Sequence, residues 1–355
     1  MELSTLVVWT AIALAVVVSL IGLATLTISA YRHRREKRRR ELRPAMTAEL
    51  FSRLGEDDPD WEAWVAGLSG VERAAARSAT ERLLRQLRGT ERHELGRLAA
   101  ALGADPERLQ REVESNDLHR VLRGLTWLSL VDYPSVVDAA IEHRTGDRVV
   151  RTALARVLYE SDDPRASREG VDLLLSETDE ALSVFGLDTL YRIVRRNPSY
   201  LLELGREERD RWNDAVLVQV LLVLRHARSG IGPASIDWVT DCADRDPEIQ
   251  AELLRLLAGY GWSPRIREGF DPAAFVSHPD PTVRQAAYVA LGEWGELDAV
   301  TDAVREESDD LARLIGIRVL AEGGRETIDD PSAAYERTRR WVLTARGRTA
   351  NTRVA

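Results

Sequence analysis

The sequence predicts an all-α chain in which a single N-terminal transmembrane helix precedes an α-α superhelix of stacked helix pairs. Three observations favour this fold: the first thirty residues carry almost no charge, an apolar pattern recurs about every thirty residues, and no segment alternates apolar and polar residues as a half-buried strand does. We divide the 355 residues into five parts. They are an anchor (1–31), a basic juxtamembrane segment (32–43), a helical N-terminal cap (44–115), a repeat array (116–325), and a C-terminal helix with a basic tail (326–355).

The anchor is predicted from residues 3–31, among which there is no charged side chain. A helix needs about 20 apolar residues to cross the hydrocarbon core of a bilayer, so this segment is long enough. A cleaved signal peptide carries its bases before a short apolar core, whereas here the bases follow it. Because bases accumulate on the cytoplasmic side, we expect a single-pass protein of the cell membrane, with its N-terminus outside and its body in the cytoplasm.

The basic segment, residues 32–43, holds eight bases and two acids, a net charge of +6. Two interpretations stay open: the bases only determine the topology, or they also attract anionic lipid, each contributing about 1 kcal/mol near the surface. Contacts with the bilayer are predicted for the aromatic rings at the ends of the anchor and for the bases that follow it, namely Trp9, Tyr31, Arg32, Arg34, Arg35, Lys37, Arg38, Arg39 and Arg40.

The body of the protein is acidic. The whole chain carries −9 and residues 1–43 carry +5, so residues 44–355 carry −14. Such a body repels the phosphate backbone, and we expect no nucleic-acid partner. The one cysteine, Cys242, excludes an intramolecular disulfide and a multi-cysteine metal cluster, and it is interpreted as a buried apolar side chain.

The repeat is clearest in residues 280–291, where positions 4, 7, 11 and 12 are apolar and form one face of a helix. An Asp or Asn at position 1 can cap that helix by accepting hydrogen bonds from its first amides. Positions 4 and 12 are apolar in all six copies of this pattern, which begin at Asp147, Asp179, Asn213, Asp246, Asp280 and Asp309. A weaker copy is predicted near Asp117. Second amphipathic segments lie at 135–142, 169–176, 200–204, 235–242 and 297–304, so each unit is interpreted as helix–turn–helix.

Residues 280–292, Asp-Pro-x-Val-Arg-x-Ala-Ala-x-x-Ala-Leu-Gly, resemble the second helix of a HEAT repeat, and the resemblance extends over about residues 115–325. It implies an armadillo-type α-solenoid. In that family the turn Asp and the Arg at position 5 form ladders between neighbouring repeats. The matching structural pairs here are Asp147 with Arg151, Asp280 with Arg284, and Asp309 with Arg313. The other copies have Ser183, Leu217 and Gln250 at position 5, so the ladder is expected to be interrupted in the middle of the array.

The two ends of the body depart from the template. Helices are predicted over 72–87, 90–102 and 106–113 as a terminal capping unit, and over 333–344 as a closing helix. Six arginines and one glutamate follow from Tyr335 onward, a net charge of +5. This tail is either a solvated helix face or a second basic contact with anionic lipid or with an acidic partner.

Residues suited to catalysis are not apparent. The six histidines lack metal-binding spacing, and we predict no metal, no cofactor and no enzymatic activity. Trp294 is interpreted as a packing residue. Trp61 and Trp64 either pack in the cap or contact a membrane partner, and Trp262 and Trp341 are candidates for the surface.

The leading hypothesis is a membrane-tethered cytoplasmic scaffold or adaptor that binds a membrane-associated protein on the concave face of its repeats. Two alternatives remain. The basic segments could serve lipid binding or envelope sensing, or the chain could be an enzyme, since HEAT-like arrays include proteins that act on DNA bases or attach bilin pigments. The acidic, tethered body disfavours the DNA enzyme, and no pigment-binding residues are recognisable.

Overall fold

The computed structural model describes residues 25, 41–42, 44–56, 58–87, 90–143, 146–176, 180–325, 336–342 and 344. Over these residues the chain consists of helices and turns without a strand, so the predicted all-α class is confirmed. The chain divides into two compact units, Met1–Arg144 and Thr145–Ala355, and each is described by itself.

The predicted anchor (1–31) and basic segment (32–43) lie outside the described residues, apart from Thr25, Glu41 and Leu42. In the described part of the chain, no helix combines the length and the apolar character needed to cross a bilayer. The bilayer contacts expected from Trp9, from Tyr31 and from the bases of the juxtamembrane segment therefore stay predictions.

The first unit contains seven helices among its described residues. They are α1 (44–54), α2 (Trp61–Gly67), α3 (Gly70–Gln86), α4 (Thr90–Ala101), α5 (Pro106–Val113), α6 (Leu118–Leu128) and α7 (Pro134–His143). The three predicted cap helices correspond to α3, α4 and α5. Asp117 caps α6 by accepting a 2.9 Å hydrogen bond from the amide of His119, so the weak copy near Asp117 is a helix as predicted.

Two tryptophans fill the first unit where α2 packs against α4. Trp61 and Trp64 are both buried, and their rings meet edge to face with centroids 5.9 Å apart. Their indole N–H groups donate to Glu94 at 3.3 Å and to Glu49 at 2.7 Å. Because the rings are buried and their polar atoms are bonded, packing in the cap is the interpretation that the structure supports.

The second unit repeats a helix-pair arrangement. Its helices are α8 (Arg148–Glu160), α9 (Glu169–Leu175), α10 (Val184–Arg196), α11 (Ser199–Glu208), α12 (Asp214–Ala227), α13 (Pro233–Ile236), α14 (Pro247–Ala258), α15 (Pro264–Gly269), α16 (Pro281–Trp294), α17 (Leu297–Glu306) and α18 (Asp310–Glu322). Residues 336–342 are also helical. The segment predicted as one helix over 235–242 is instead the end of α13 followed by a 3-10 helix, Asp237–Cys242.

The helices that match the repeat template form one continuous stack. Each helix packs against the next one in the series α8, α10, α12, α14, α16 and α18. Five of the six predicted position-1 residues are N-caps, and four of them accept a hydrogen bond from the first turn through the side chain, whereas Asp246 does not. Asp147 accepts from the amide of Val149 at 2.7 Å and Asp280 from that of Thr282 at 2.7 Å. The apolar residues at positions 4 and 12 are all buried, namely Val150, Leu158, Leu182, Leu190, Val216, Leu224, Ile249, Leu257, Val283, Leu291, Ala312 and Leu320.

The copy predicted to begin at Asp179 is in the wrong register. Helix α10 begins at Val184, and its N-cap is Ser183, whose hydroxyl accepts from the amide of Gly186 at 3.1 Å. Residues 181–183 are not helical, and the backbone of Ser183 is extended. The later start moves Phe185 from a core position of the template to the first turn of the helix.

Side chains at position 5 of the stacked helices bind carbonyl groups of neighbouring turns. Arg151 donates to the carbonyl of Ser176 at 3.0 Å, and Arg284 to that of His278 at 2.8 Å. Gln250 takes the same role, donating to the carbonyl of Ala243 at 2.8 Å. These contacts tie each helix to a turn, while the Asp–Arg ladder between neighbouring repeats stays a prediction.

A buried charge cluster joins α16 to the turn before α18. The carboxylate of Glu307, only 2% exposed, accepts two hydrogen bonds from Arg284, at 2.7 and 2.8 Å, and one from the Tyr288 hydroxyl at 2.8 Å. The amide of Asp309 donates to the same carboxylate at 2.8 Å, and the Arg313 Nε donates to the Glu307 carbonyl at 3.1 Å. Burial acts to raise the pKa of Glu307, but the bonds from Arg284, Asp309 and Tyr288 outweigh it and lower this pKa to about 2.

We expect Glu307→Gln to lower the free energy of unfolding by about 3 kcal/mol at neutral pH, because Arg284 would remain buried without its counter-charge. The folded carboxylate has a pKa of about 2 against an ordinary value of 4.5, so the stabilisation is present above pH 4.5 and is lost as the pH falls towards 2. The measurement is urea unfolding of both proteins across this range, with Asp310→Asn, an exposed partner of Arg313, as the control. A difference that does not shrink between pH 4.5 and 2 would contradict the assignment.

Candidate functional site

The candidate site lies on the neighbouring helices α8 and α10, which run parallel. Near their N-terminal ends Arg148 pairs with Glu180 at 3.1 Å. Further along, Arg156 pairs with Asp188 at 2.8 Å. The start of α8 therefore contacts the segment that leads into α10, and Arg156, further along α8, contacts α10 itself. The two helices run in the same direction, and their exposed faces form one strip.

The first turns of these helices carry three exposed apolar side chains, Val149, Val184 and Phe185, which we call the apolar end of the strip. Val184 is 88% exposed, Val149 53% and Phe185 50%. Large apolar side chains exposed in a group mark surfaces that other molecules cover, whereas single exposed ones are ordinary. The apolar end is therefore the first indication of a binding surface.

Arg156 connects the apolar end with the rest of the strip. Its guanidinium lies 5.7 Å from the centre of the Phe185 ring and 5.8 Å from that of Tyr159. It also pairs with Glu160 at 2.7 Å and with Asp188 at 2.8 Å. Two carboxylates and two rings thus hold this side chain in place, so the strip is preorganised at its centre.

Beyond Arg156 the strip ends in an arginine–tyrosine pocket with a volume of about 360 Å³. The pocket is lined by Tyr159, Asp188, Tyr191, Arg192, Arg195 and Arg196. The Arg196 guanidinium lies 4.5 Å from the centre of the Tyr159 ring and pairs with Asp162. Arg195 is exposed and forms no ion pair with any residue that the structure describes.

The charged side chains of the pocket form short hydrogen bonds with one another. Asp188 accepts 2.8 Å hydrogen bonds from Arg156 and from Arg192. Burial acts to raise the pKa of Asp188, but these two bonds outweigh it, so this pKa is lowered and the carboxylate is ionised at neutral pH. Four arginines face three acids, which leaves a net +1 on an otherwise acidic body: Arg156, Arg192, Arg195 and Arg196 against Glu160, Asp162 and Asp188.

The arrangement is suited to recognition. Arginine guanidinium groups bind carboxylates in a planar, two-bond geometry, and aromatic rings supply apolar contact area at a low entropy cost. Among the described residues no group of three or more His, Cys, Asp or Glu side chains could hold a metal ion. Cys242 is buried as predicted, and burial raises the pKa of its thiol.

Sequence reasoning missed this strip for an identifiable reason. The template starting at Asp179 placed Phe185 at position 7, which is a core position in the copy at 280–291. The alternative signal was Ser183, an N-cap residue directly before Val184 and Phe185. Of the other aromatic candidates, Trp294 is buried as predicted, whereas Trp262 and Trp341 are exposed.

No protein-family model, curated protein or solved structure matches this chain. The fold and the strip define an all-α protein whose second unit has a helical-repeat-like arrangement and an exposed arginine–tyrosine surface. The resemblance to HEAT repeats rests on the sequence pattern of residues 280–292.

The exposure of Phe185 predicts a contrast between two substitutions in α10. Phe185→Ser should lower the free energy of unfolding by no more than about 1 kcal/mol, because the ring is half exposed and its contact with Arg156 lies at the surface. Leu190→Ala, at a fully buried position, should lower it by about 2–5 kcal/mol. Urea unfolding measures both, and equal losses would show that α10 follows the Asp179 register instead.

Proposed function

We propose that the chain is a membrane-tethered scaffold of the HEAT-repeat type that binds another membrane-associated protein. Its N-terminal segment spans the cell membrane with the N-terminus outside, and its repeats lie in the cytoplasm. The strip on α8 and α10 binds an acidic segment of the partner that also carries an apolar side chain. The observation that carries this proposal is the link that Arg156 makes between the exposed Phe185 ring and the arginine–tyrosine pocket. Its guanidinium lies 5.7 Å from the centre of the Phe185 ring and 5.8 Å from that of Tyr159, which lines the pocket.

The composition of the strip supports a protein partner. Arginine and tyrosine are enriched among the residues that dominate binding energy at protein interfaces, and they act best beside apolar groups that exclude water. Val149 and Tyr159 are ten residues apart on α8, so the strip is about 15 Å long. An extended peptide rises about 3.3 Å per residue, so a segment of about five residues reaches from the apolar end to the pocket.

The charges favour an acidic occupant at the pocket end. Arg195 has no acidic partner among the described residues, and Arg196 and Arg192 are held in place by Asp162 and Asp188. A carboxylate from the partner would complete the pairing of Arg195. The apolar end offers no such charge, so an apolar side chain of the same segment fits there.

The first thirty residues support the proposed membrane anchor, and the repeat pattern supports the proposed HEAT-type scaffold. Residues 3–31 are uncharged and are followed by bases, which is typical of an anchor with a cytoplasmic body. A tether confines the strip to a layer beneath the bilayer and raises its effective concentration towards other membrane proteins without any new contact.

Removal of residues 1–31 should release the chain from membranes. We expect the full-length protein to stay in the membrane pellet after alkaline carbonate extraction and the shortened protein to appear in the supernatant. The shortened protein retains the basic segment at 32–43, so any remaining binding should be lost at high salt. Extraction of the full-length protein by carbonate would contradict the anchor.

A photo-crosslinking amino acid at position 185 should form one dominant adduct with a protein in native membranes. The same crosslinker at position 311 is the matched control, because Leu311 is similarly exposed, at 54%, and occupies the same turn of α18. Arg195→Glu should reduce the adduct several-fold, since a reversed charge repels an acidic segment. Arg305→Glu, at an exposed site away from the strip, should leave it unchanged.

Identical adducts from positions 185 and 311, or an adduct at 185 that ignores Arg195→Glu, would exclude the strip as the binding surface.

A further inference from the structure

The helix over residues 336–342 is attached to the second unit by one side of its surface. Val342 is buried in the same apolar cluster as Tyr288, Leu291 and Val300. That contact fixes which face of the helix points away from the core. Residue 344 is helical as well, so the segment extends over about two turns.

The opposite face of this helix combines bases with an aromatic ring. Arg337, Arg340, Trp341 and Thr344 are all exposed, and Trp341 is 63% exposed. At 100° per residue these four positions fall within an arc of about 100°, whereas Val342 lies on the other side. We call these four residues the tail face.

The bases of the tail face lack ion pairs within the described chain. Neither Arg337 nor Arg340 forms an ion pair with a described residue. The acid of this segment, Glu336, pairs instead with Arg339 at 3.6 Å, and Arg339 lies off the tail face. The tail face therefore carries two positive charges and no acid, on a body with a net charge of −14.

We propose that the tail face binds the surface of an anionic lipid bilayer. Tryptophan favours the interfacial zone, where its apolar rings enter the boundary of the acyl chains and its N–H meets the headgroups. Arginines beside it attract anionic headgroups, each base contributing a factor of about five to the affinity. A helix of two turns is far too short to cross the membrane, so it lies in the plane of the surface.

A bilayer fits this face better than an acidic protein does. Three further arginines, Arg346, Arg348 and Arg353, follow in the sequence without an acid. Charge spread along a segment in this way suits an extended, uniformly charged surface, whereas protein recognition uses guanidinium groups oriented by neighbours, as in the pocket on α10. The inference does not depend on the proposed anchor or on the proposed protein partner.

The test uses full-length protein with nanodiscs of pure phosphatidylcholine or of phosphatidylcholine with phosphatidylglycerol. A photo-crosslinking residue at position 341 should form lipid adducts in the anionic discs, and Arg337→Glu/Arg340→Glu should reduce them by about 20-fold or more. The same crosslinker at position 262, an exposed tryptophan of the second unit, is the positional control. Arg211→Glu/Arg305→Glu, two exposed bases elsewhere, is the charge control and should leave the adducts unchanged.

Equal lipid labelling in neutral and anionic discs, equal labelling from positions 341 and 262, or labelling unaffected by Arg337→Glu/Arg340→Glu would overturn the proposal. A different result would show that residues 1–31 are not a membrane anchor. In that case the protein does not co-elute with pure phosphatidylcholine discs, while the lipid adducts from position 341 still depend on phosphatidylglycerol.

Discussion

The hydrogen bond between an N-cap side chain and the first turn of its helix sets the register on which the second unit depends. Asp147 and Asp280 each fix the first residue of a stacked helix, and every later residue turns by about 100° from the one before it. A start displaced by one residue would therefore rotate the apolar face away from its neighbour. The face that remains exposed, and with it the binding strip, is determined by the same bond.

The turns between helices impose the second constraint, because packing the helices closely buries carbonyl groups that must be bonded. Side chains meet this demand. Gln219 of α12 both donates to and accepts from the backbone of Leu182, at 3.0 and 2.6 Å, and Arg284 binds carbonyls of the turn before its own helix. Glu307 then balances the charge that Arg284 brings into the core. The stack is consequently held by polar side chains at the turns as well as by its apolar faces.

The sequence predicted the features that depend on local chemistry and missed those that depend on tertiary contacts. Caps and apolar periodicity lie within one helix, so the starts at Asp147, Asn213 and Asp309 could be found from the pattern alone. At α10 two starts four residues apart were compatible with the pattern, because four residues rotate the face by only about 40° and Leu190 is buried in either case. The pocket could not be predicted, since it brings Tyr159 together with Arg196 across two helices.

The strip and the tail face both combine arginine with an aromatic ring, and the neighbours of each arginine distinguish the two surfaces physically. On α8 and α10, Arg156, Arg192 and Arg196 are each oriented by a carboxylate, so much of their charge is already neutralised and what remains is directional. A surface of that kind discriminates between shapes and responds weakly to salt.

On the tail face Arg337 and Arg340 form no ion pair with a described residue, and the neighbouring Glu336 pairs with Arg339. Their attraction is long-ranged, non-directional and screened over about 8 Å at physiological ionic strength. Because the two arrangements lie on different helices, directional recognition and long-range attraction are separated on the surface of the second unit.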